Sequence, residues 1–197
     1  MFKAIAATFL CCLVGTSAQA GVMEVGVSAN YRTSQIDENN FQDSVSYTGS
    51  IAYYFWEMSA IEISYTKGLS RLSVKPSLSE PKIIYRTEFE MIGADFVFTF
   101  ATRQSMFQPF IKLGGAHLQR RIVREATSDG SLGAVEIPAP AGVVPSAGVG
   151  FKVLLTSTLS FKAGIDAWTS PLRADQNNKR EDYTIDYAAR AGISWMF

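Results

Sequence analysis

The sequence is poor in the residues that most often carry chemistry. Its two cysteines, Cys11 and Cys12, sit side by side near the amino terminus, and His117 is its single histidine. Beyond Cys12 there is no thiol, so neither a disulfide framework nor thiol chemistry is available to the rest of the chain. A lone imidazole leaves no His-rich metal site, and neither a metal nor a cofactor is expected. Charge is balanced, 18 Lys and Arg against 18 Asp and Glu, and no nucleic-acid partner is expected. The longest apolar run, Ala4 to Val14, falls short of the roughly 20 residues that a membrane-spanning helix needs.

That short run has its own meaning. Lys3, the apolar segment behind it and the small-residue close Ala18-Gln19-Ala20 have the form of a secretory signal peptide. Residues 1–20 are therefore read as a signal for the general secretory route, cleaved after Ala20, with a mature chain over 21–197. Cys11 and Cys12 follow too short an apolar region, and lack the small residue expected before an acylated cysteine, to mark a lipoprotein.

What the mature chain has in abundance is a period of two. From Tyr183 to Phe197 one parity carries Tyr183, Ile185, Tyr187, Ala189, Ala191, Ile193, Trp195 and Phe197; the other carries Thr184, Asp186, Ala188, Arg190, Gly192, Ser194 and Met196. Side chains of a strand alternate between its two faces, so one face is apolar for fifteen residues. Strands of globular proteins run to about 5–6 residues. The pattern recurs around Met23–Tyr31, Val45–Phe55, Ile61–Leu69, Val149–Val153 and Leu159–Ile165, and segments 84–100 and 109–122 complete a count of eight. In segment 84–100 the apolar parity changes, with Tyr85, Phe89 and Met91 on one parity and Ala94, Phe96, Phe98 and Phe100 on the other. A β-bulge near Met91 to Gly93 is expected to reconcile them.

Connections alternate in length. Short turns are expected near Trp56-Glu57-Met58, Ala101 to Phe107 and Leu155 to Thr158, and longer polar loops near 34–43, 71–82, 123–143 and 170–182. An even number of long strands, with short periplasmic turns and longer external loops, describes an all-β, eight-stranded, antiparallel up-and-down transmembrane β-barrel. The alternative, a soluble barrel with its apolar face inside, fits less well. The polar parity is rich in Gly, Ser and Ala, which suits a crowded lumen. The apolar parity is banded with aromatics: Tyr31, Tyr65, Tyr85, Trp168 and Tyr183 toward the long loops, and Phe55, Trp56, Phe100, Phe107, Trp195 and Phe197 toward the short turns. Aromatic girdles at both interfaces mark a membrane barrel.

The closing segment Ala191-Gly192-Ile193-Ser194-Trp195-Met196-Phe197 resembles the last strand of bacterial outer-membrane barrels. In those proteins the alternating apolar residues and final Phe, here Trp195 and Phe197, are what the barrel-assembly machinery recognises. Phe110-Ile111-Lys112-Leu113-Gly114-Gly115-Ala116 and Ala147-Gly148-Val149-Gly150-Phe151-Lys152 are similar to strands of the OmpA-like transmembrane domain. The resemblance implies a Gram-negative outer membrane, with its lipid and lipopolysaccharide as surroundings. It does not extend to a peptidoglycan-binding domain, which this sequence does not show, and no wall-tethering role is expected.

Three functions compete. A lipid-modifying barrel enzyme needs a His beside a Ser and a carboxylate; His117 shares the outward parity of Ile111, Leu113 and Gly115, with no Ser at His-x-Ser spacing, so no enzyme is expected. An open pore needs about 16–18 strands, whereas the inside of eight is filled by side chains. An OmpW-like channel for small or hydrophobic solutes remains the alternative; it would call for an apolar lumen. The leading expectation is a structural or surface-interaction barrel acting through its external loops. Its lumen is expected to be closed by a charge network of Glu24, Glu62, Asp95, Lys112, Lys152, Lys162 and Arg190, with opposite charges on adjacent strands.

Overall fold

The computed structural model describes residues 21–37, 40–74, 83–126, 135–138, 141–171 and 183–197; within these, the side chains of 33–37, 40–42, 72–74, 83–85, 124–126, 135–138, 170–171 and 183–184 are outside the description. Cys11, Cys12 and the cleavage site at Ala20 lie outside it, as do Asp129, Arg173 and Lys179 of the two longest expected loops.

The chain forms β1 (Val22–Asp37), β2 (Asn40–Trp56), β3 (Ser59–Val74), β4 (Ile83–Thr99), β5 (Phe107–Ala126), β6 (Val135–Pro138), β7 (Gly142–Leu154), β8 (Leu159–Pro171) and β9 (Tyr183–Met196). All pair antiparallel. The hydrogen-bonded order runs β4-β3-β2-β1-β9-β8-β7-β5, and the β4–β5 ladder closes it into a ring of eight. The short β6 lies outside the ring, paired to Arg121–Arg124 of β5. Closure removes the free edges that an open sheet would present, and a wall without edges is a condition for crossing lipid.

The ring strands are 13 to 20 residues long, more than the 9–11 or so that a tilted strand needs to cross a bilayer. The excess lies at the long-loop end. Segment 34–43, expected as a loop, is strand at each of its described residues: β1 continues to Asp37, β2 begins at Asn40, and the two pair to their ends. Segments 71–82, 123–143 and 170–182 likewise begin in strand. Polar sequence beyond the aromatic band continues the ladder outside the bilayer, where the period-two signal fades because neither face is uniformly apolar.

Burial is inverted relative to a soluble barrel. Val25, Val27, Ile51, Ile61, Ile63, Leu113, Val149, Ile165 and Ile193 are exposed, while Glu24, Ser46, Thr48, Glu62, Thr66, Asp95, Lys112, Lys152 and Arg190 are buried. The apolar parity faces out. Within that outer band lie Tyr31, Tyr65, Trp56, Phe100, Phe107, Trp195 and Phe197. Phe55 sits between Trp56 and Phe96, with ring centroids 5.2 and 6.0 Å away, and Phe107 stacks on Phe151 at 5.5 Å.

Three sequence expectations are corrected. No bulge interrupts β4: its register against both β3 and β5 is continuous through Met91, Ile92 and Gly93. Register shifts fall instead between Tyr54 and Trp56 on β2, at the short-turn end, and between Gln35 and Asp37 on β1, at the long-loop end. Consequently Phe89 and Met91 keep the parity of Asp95 and turn inward, where they pack with Ala116, Leu118 and Val144. The side chains of Tyr85 and Tyr183 lie outside the described residues. Trp168 is not a girdle residue. It follows Lys162 and Asp166 on the inward parity of β8 and packs on the same inner apolar cluster.

Candidate functional site

The lumen is stratified, and each layer follows from which inward positions the register brings to one height. At the short-turn end the turn after β4 folds across the mouth. Gln108 is buried and donates from Nε2 to the carbonyls of Arg103 and Ser105, both at 2.9 Å. Arg103 in turn donates to the Trp56 carbonyl at 3.0 Å, tying this turn to the one after β2. Its guanidinium lies over the Tyr54 ring, 5.5 Å from the centroid, and Lys152 Nζ lies 5.1 Å from the same centroid. Tyr54 donates from its hydroxyl to Glu24 Oε2 at 2.8 Å, and Lys152 Nζ donates to both, at 3.2 Å to the hydroxyl and 3.1 Å to Oε2.

Above this floor lies the ionic layer. The seven charged residues named from the sequence all project inside, and Glu24, Glu62, Asp95, Lys112, Lys152 and Arg190 keep between 1% and 6% of their surface exposed. Lys112 Nζ faces three carboxylates: Asp166 at 3.0 Å, Asp95 at 3.6 Å and Glu62 at 3.8 Å. Lys162 pairs with Glu24 and, at 3.4 Å, with Glu62. Arg190 completes the ring with Asp166 at 3.3 Å and Glu62 at 3.6 Å. Asp166 belongs to this network and is absent from the set named from the sequence, although its parity is inward. Tyr54 is absent from that set because aromatic residues are expected on the outer face.

Charge therefore closes at four carboxylates (Glu24, Glu62, Asp95, Asp166) against four cations (Lys112, Lys152, Lys162, Arg190). The arrangement differs from simple alternation between neighbouring strands. Glu62 stands directly opposite Asp95, and Lys152 directly opposite Lys162. Like charges so placed repel. Each repelling pair is bridged by the opposite charge: Lys112 reaches both Glu62 and Asp95, and Glu24 reaches both Lys152 and Lys162. A buried charge persists only when paired in this way.

Gly148 makes one of these bridges possible. It lies between Lys112 and Asp166 in the register, and a Cβ there would sit 2.5 Å from Asp166 Oδ1 and 2.6 Å from Lys112 Cε. Gly148→Ala is expected to displace that ion pair and cost about 1–3 kcal/mol, the range for overpacking. Gly49→Ala, whose Cβ would meet nothing within 4 Å, should cost nothing. Urea midpoints of the two variants in lipid vesicles check the contrast.

Toward the long-loop end the layer divides. On β1–β3 it is polar: Asn30 donates from Nδ2 to Ser46 Oγ at 3.1 Å and Thr48 Oγ1 at 2.8 Å, and Thr48 bonds Thr66 at 2.7 Å. On β4–β8 it is the apolar cluster of Phe89, Met91, Ala116, Leu118, Val144 and Trp168. Between them remains a cavity with room for about 30 Å³, a water molecule or two. At the rim, Asp186 pairs with Arg32 at 2.5 Å and with Arg120 at 3.4 Å. His117 is on the outer wall, 3.2 Å from Gln119 Nε2, away from all of these groups.

No family model matches the chain, and no curated protein matches it significantly. Solved structures do. OprG from Pseudomonas aeruginosa is 12% identical over 90% of this chain and 96% of its own, with a TM-score of 0.58. Neisserial surface protein A is 15% identical over 90% and 96%, at 0.55. Ail, the attachment invasion locus protein of Yersinia pestis, is 13% identical over 91% and 100%, at 0.53. The fold is that of the small outer-membrane β-barrels.

Proposed function

We propose that the chain is a bacterial outer-membrane barrel that is structural in its membrane part and meets its ligands at the external end, with no open path through the lumen. The observation that carries this reading is the ionic layer: four carboxylates and four cations cross-bridged over the bore, above a floor latched by Arg103, Tyr54 and Lys152. A conducting pore would have to break several buried ion pairs at once, and removing one partner of such a pair costs about 3–5 kcal/mol.

An interaction role for the external end is supported by the extension of the strands beyond the bilayer band and by the likeness to Ail and to Neisserial surface protein A, whose names speak of attachment and of the surface. Lipid and lipopolysaccharide are the partners of the apolar wall, which carries an open depression of about 620 Å³ lined by Ala29, Gly49, Ala191 and Tyr47. The barrel-assembly machinery is the partner of Trp195 and Phe197. The proposal includes no catalytic role.

Whole cells displaying the intact protein, compared with cells displaying variants shortened in 127–134 and 172–182, should differ in binding to host cells or matrix. Equal binding would remove the interaction role. Separately, the protein isolated from sucrose-gradient outer-membrane fractions should begin at Gly21; recovery as a soluble periplasmic protein would contradict the whole reading.

A further inference from the structure

Two ladders of the ring stop early. β1 and β9 pair from Glu24↔Met196 to Tyr31↔Ala189, although β1 continues to Asp37 and β9 starts at Tyr183. β7 and β8 pair from Leu154↔Ser160 to Ser146↔Trp168, although β7 starts at Gly142 and β8 continues to Pro171. Pro145 stands where the second ladder ends, and it has no N–H to extend it. Between β8 and β9 themselves the ladder persists to Pro171↔Tyr183. Among the described residues, the outer part of the β8–β9 hairpin is thus a two-stranded ribbon with no ladder to either neighbour. Side chains hold it instead: Asp186 to Arg32 of β1 and Arg120 of β5, and Trp168 against the cluster of Ala116, Leu118 and Val144.

Behind this ribbon lies the cavity described above. Met91, Ala116 and Trp168 form one wall, and the ionic layer forms the floor. Facing the apolar wall is Asn30, 7% exposed, whose Oδ1 has no hydrogen-bond partner. An apolar wall opposite a buried, unused acceptor suits a molecule with an apolar body and one donor.

We propose that the β8–β9 ribbon is a hinged flap, latched by Asp186, over a dead-end binding site for a small neutral aromatic or alkyl molecule carrying a hydroxyl or amino donor. The body packs on Trp168, Met91 and Ala116, and the donor reaches Asn30 Oδ1. With the flap shut the cavity admits only water, so entry requires the Arg32–Asp186–Arg120 contact to open. With no ladder to either neighbour, opening of the ribbon breaks side-chain contacts, the Asp186 pairs with Arg32 and Arg120 among them, rather than a run of backbone hydrogen bonds.

The protein has three tryptophans, and Trp56→Phe with Trp195→Phe leaves Trp168 as the sole indole. In detergent, 4-bromophenol should quench this variant saturably. It should quench a variant keeping only Trp195 linearly, by partition into the micelle. Asn30→Ala should weaken the saturable phase about tenfold, the scale of one buried hydrogen bond left unmade. Asp186→Asn should speed its onset. Linear quenching of Trp168 indistinguishable from Trp195 would overturn the site. Hydrogen exchange reads the flap independently: amides of Thr169 and Ile185 should exchange faster than those of Ser44 and Ser70 in the fully paired β2–β3 wall, and equal protection would overturn the hinge.

Discussion

Glu62→Ala is expected to destabilise the barrel by about 3–5 kcal/mol, the cost of stranding buried partners of a removed charge. Glu62 is the carboxylate that three cations share, with Lys112, Lys162 and Arg190 between 3.4 and 3.8 Å. Its loss leaves four cations facing three carboxylates where neither water nor lipid can compensate fully. Each of the three retains another partner, Lys162 through Glu24, Arg190 through Asp166, and Lys112 through both Asp166 and Asp95, so the barrel should still assemble. The loss should read out as a lower urea midpoint in lipid vesicles and a lower temperature for the heat-dependent shift on gels. Glu62→Gln, which keeps the volume and a hydrogen-bonding oxygen, should lose less. Unchanged midpoints in both variants would mean that the ions are solvated rather than paired.

Phe197→Ser is expected to reduce the amount of protein in the outer membrane severalfold while leaving the stability of whatever assembles nearly unchanged. The two effects separate because the Phe197 side chain is 76% exposed and touches little beyond the Trp195 ring, stacked at 6.4 Å. Its backbone, by contrast, exchanges hydrogen bonds with Met23, at 2.8 and 3.3 Å, and so closes the β9–β1 seam. Serine keeps that backbone. A side chain with so little packing to lose should matter through recognition during insertion. Immunoblots of membrane fractions beside refolding into vesicles test this; equal loss in both assays would reduce the residue to a packing role.

How much of this is legible in the sequence follows from what a period of two can encode. It assigns a face, so parity alone places Glu24, Glu62, Asp95, Lys112, Lys152, Lys162 and Arg190 on inward positions. It does not assign azimuth. That Lys112 spans from β5 to Asp166 on β8, past Gly148, depends on ring closure and on a missing side chain, which no single strand records. The period also misleads wherever apolar is equated with outward. Trp168, Phe89 and Met91 are apolar and face in, because the outer half of this lumen has an apolar wall above its charged layer. The bulge expected at Met91 is an artefact of that equation: β4 keeps its parity, and only the chemistry of its inward face changes. An OmpW-like solute channel would call for an apolar lumen; the apolar wall that does exist is a pocket on one side, closed beneath by the ion pairs.

Whether that closure holds is read directly by single-channel recording. Purified wild-type protein in planar bilayers at neutral pH is predicted to show no steady conductance, with brief openings appearing when Glu62 or Lys112 is replaced by alanine. Large, long-lived wild-type channels, indifferent to both substitutions, would contradict the sealed lumen and with it the proposal that this barrel acts at its outer end.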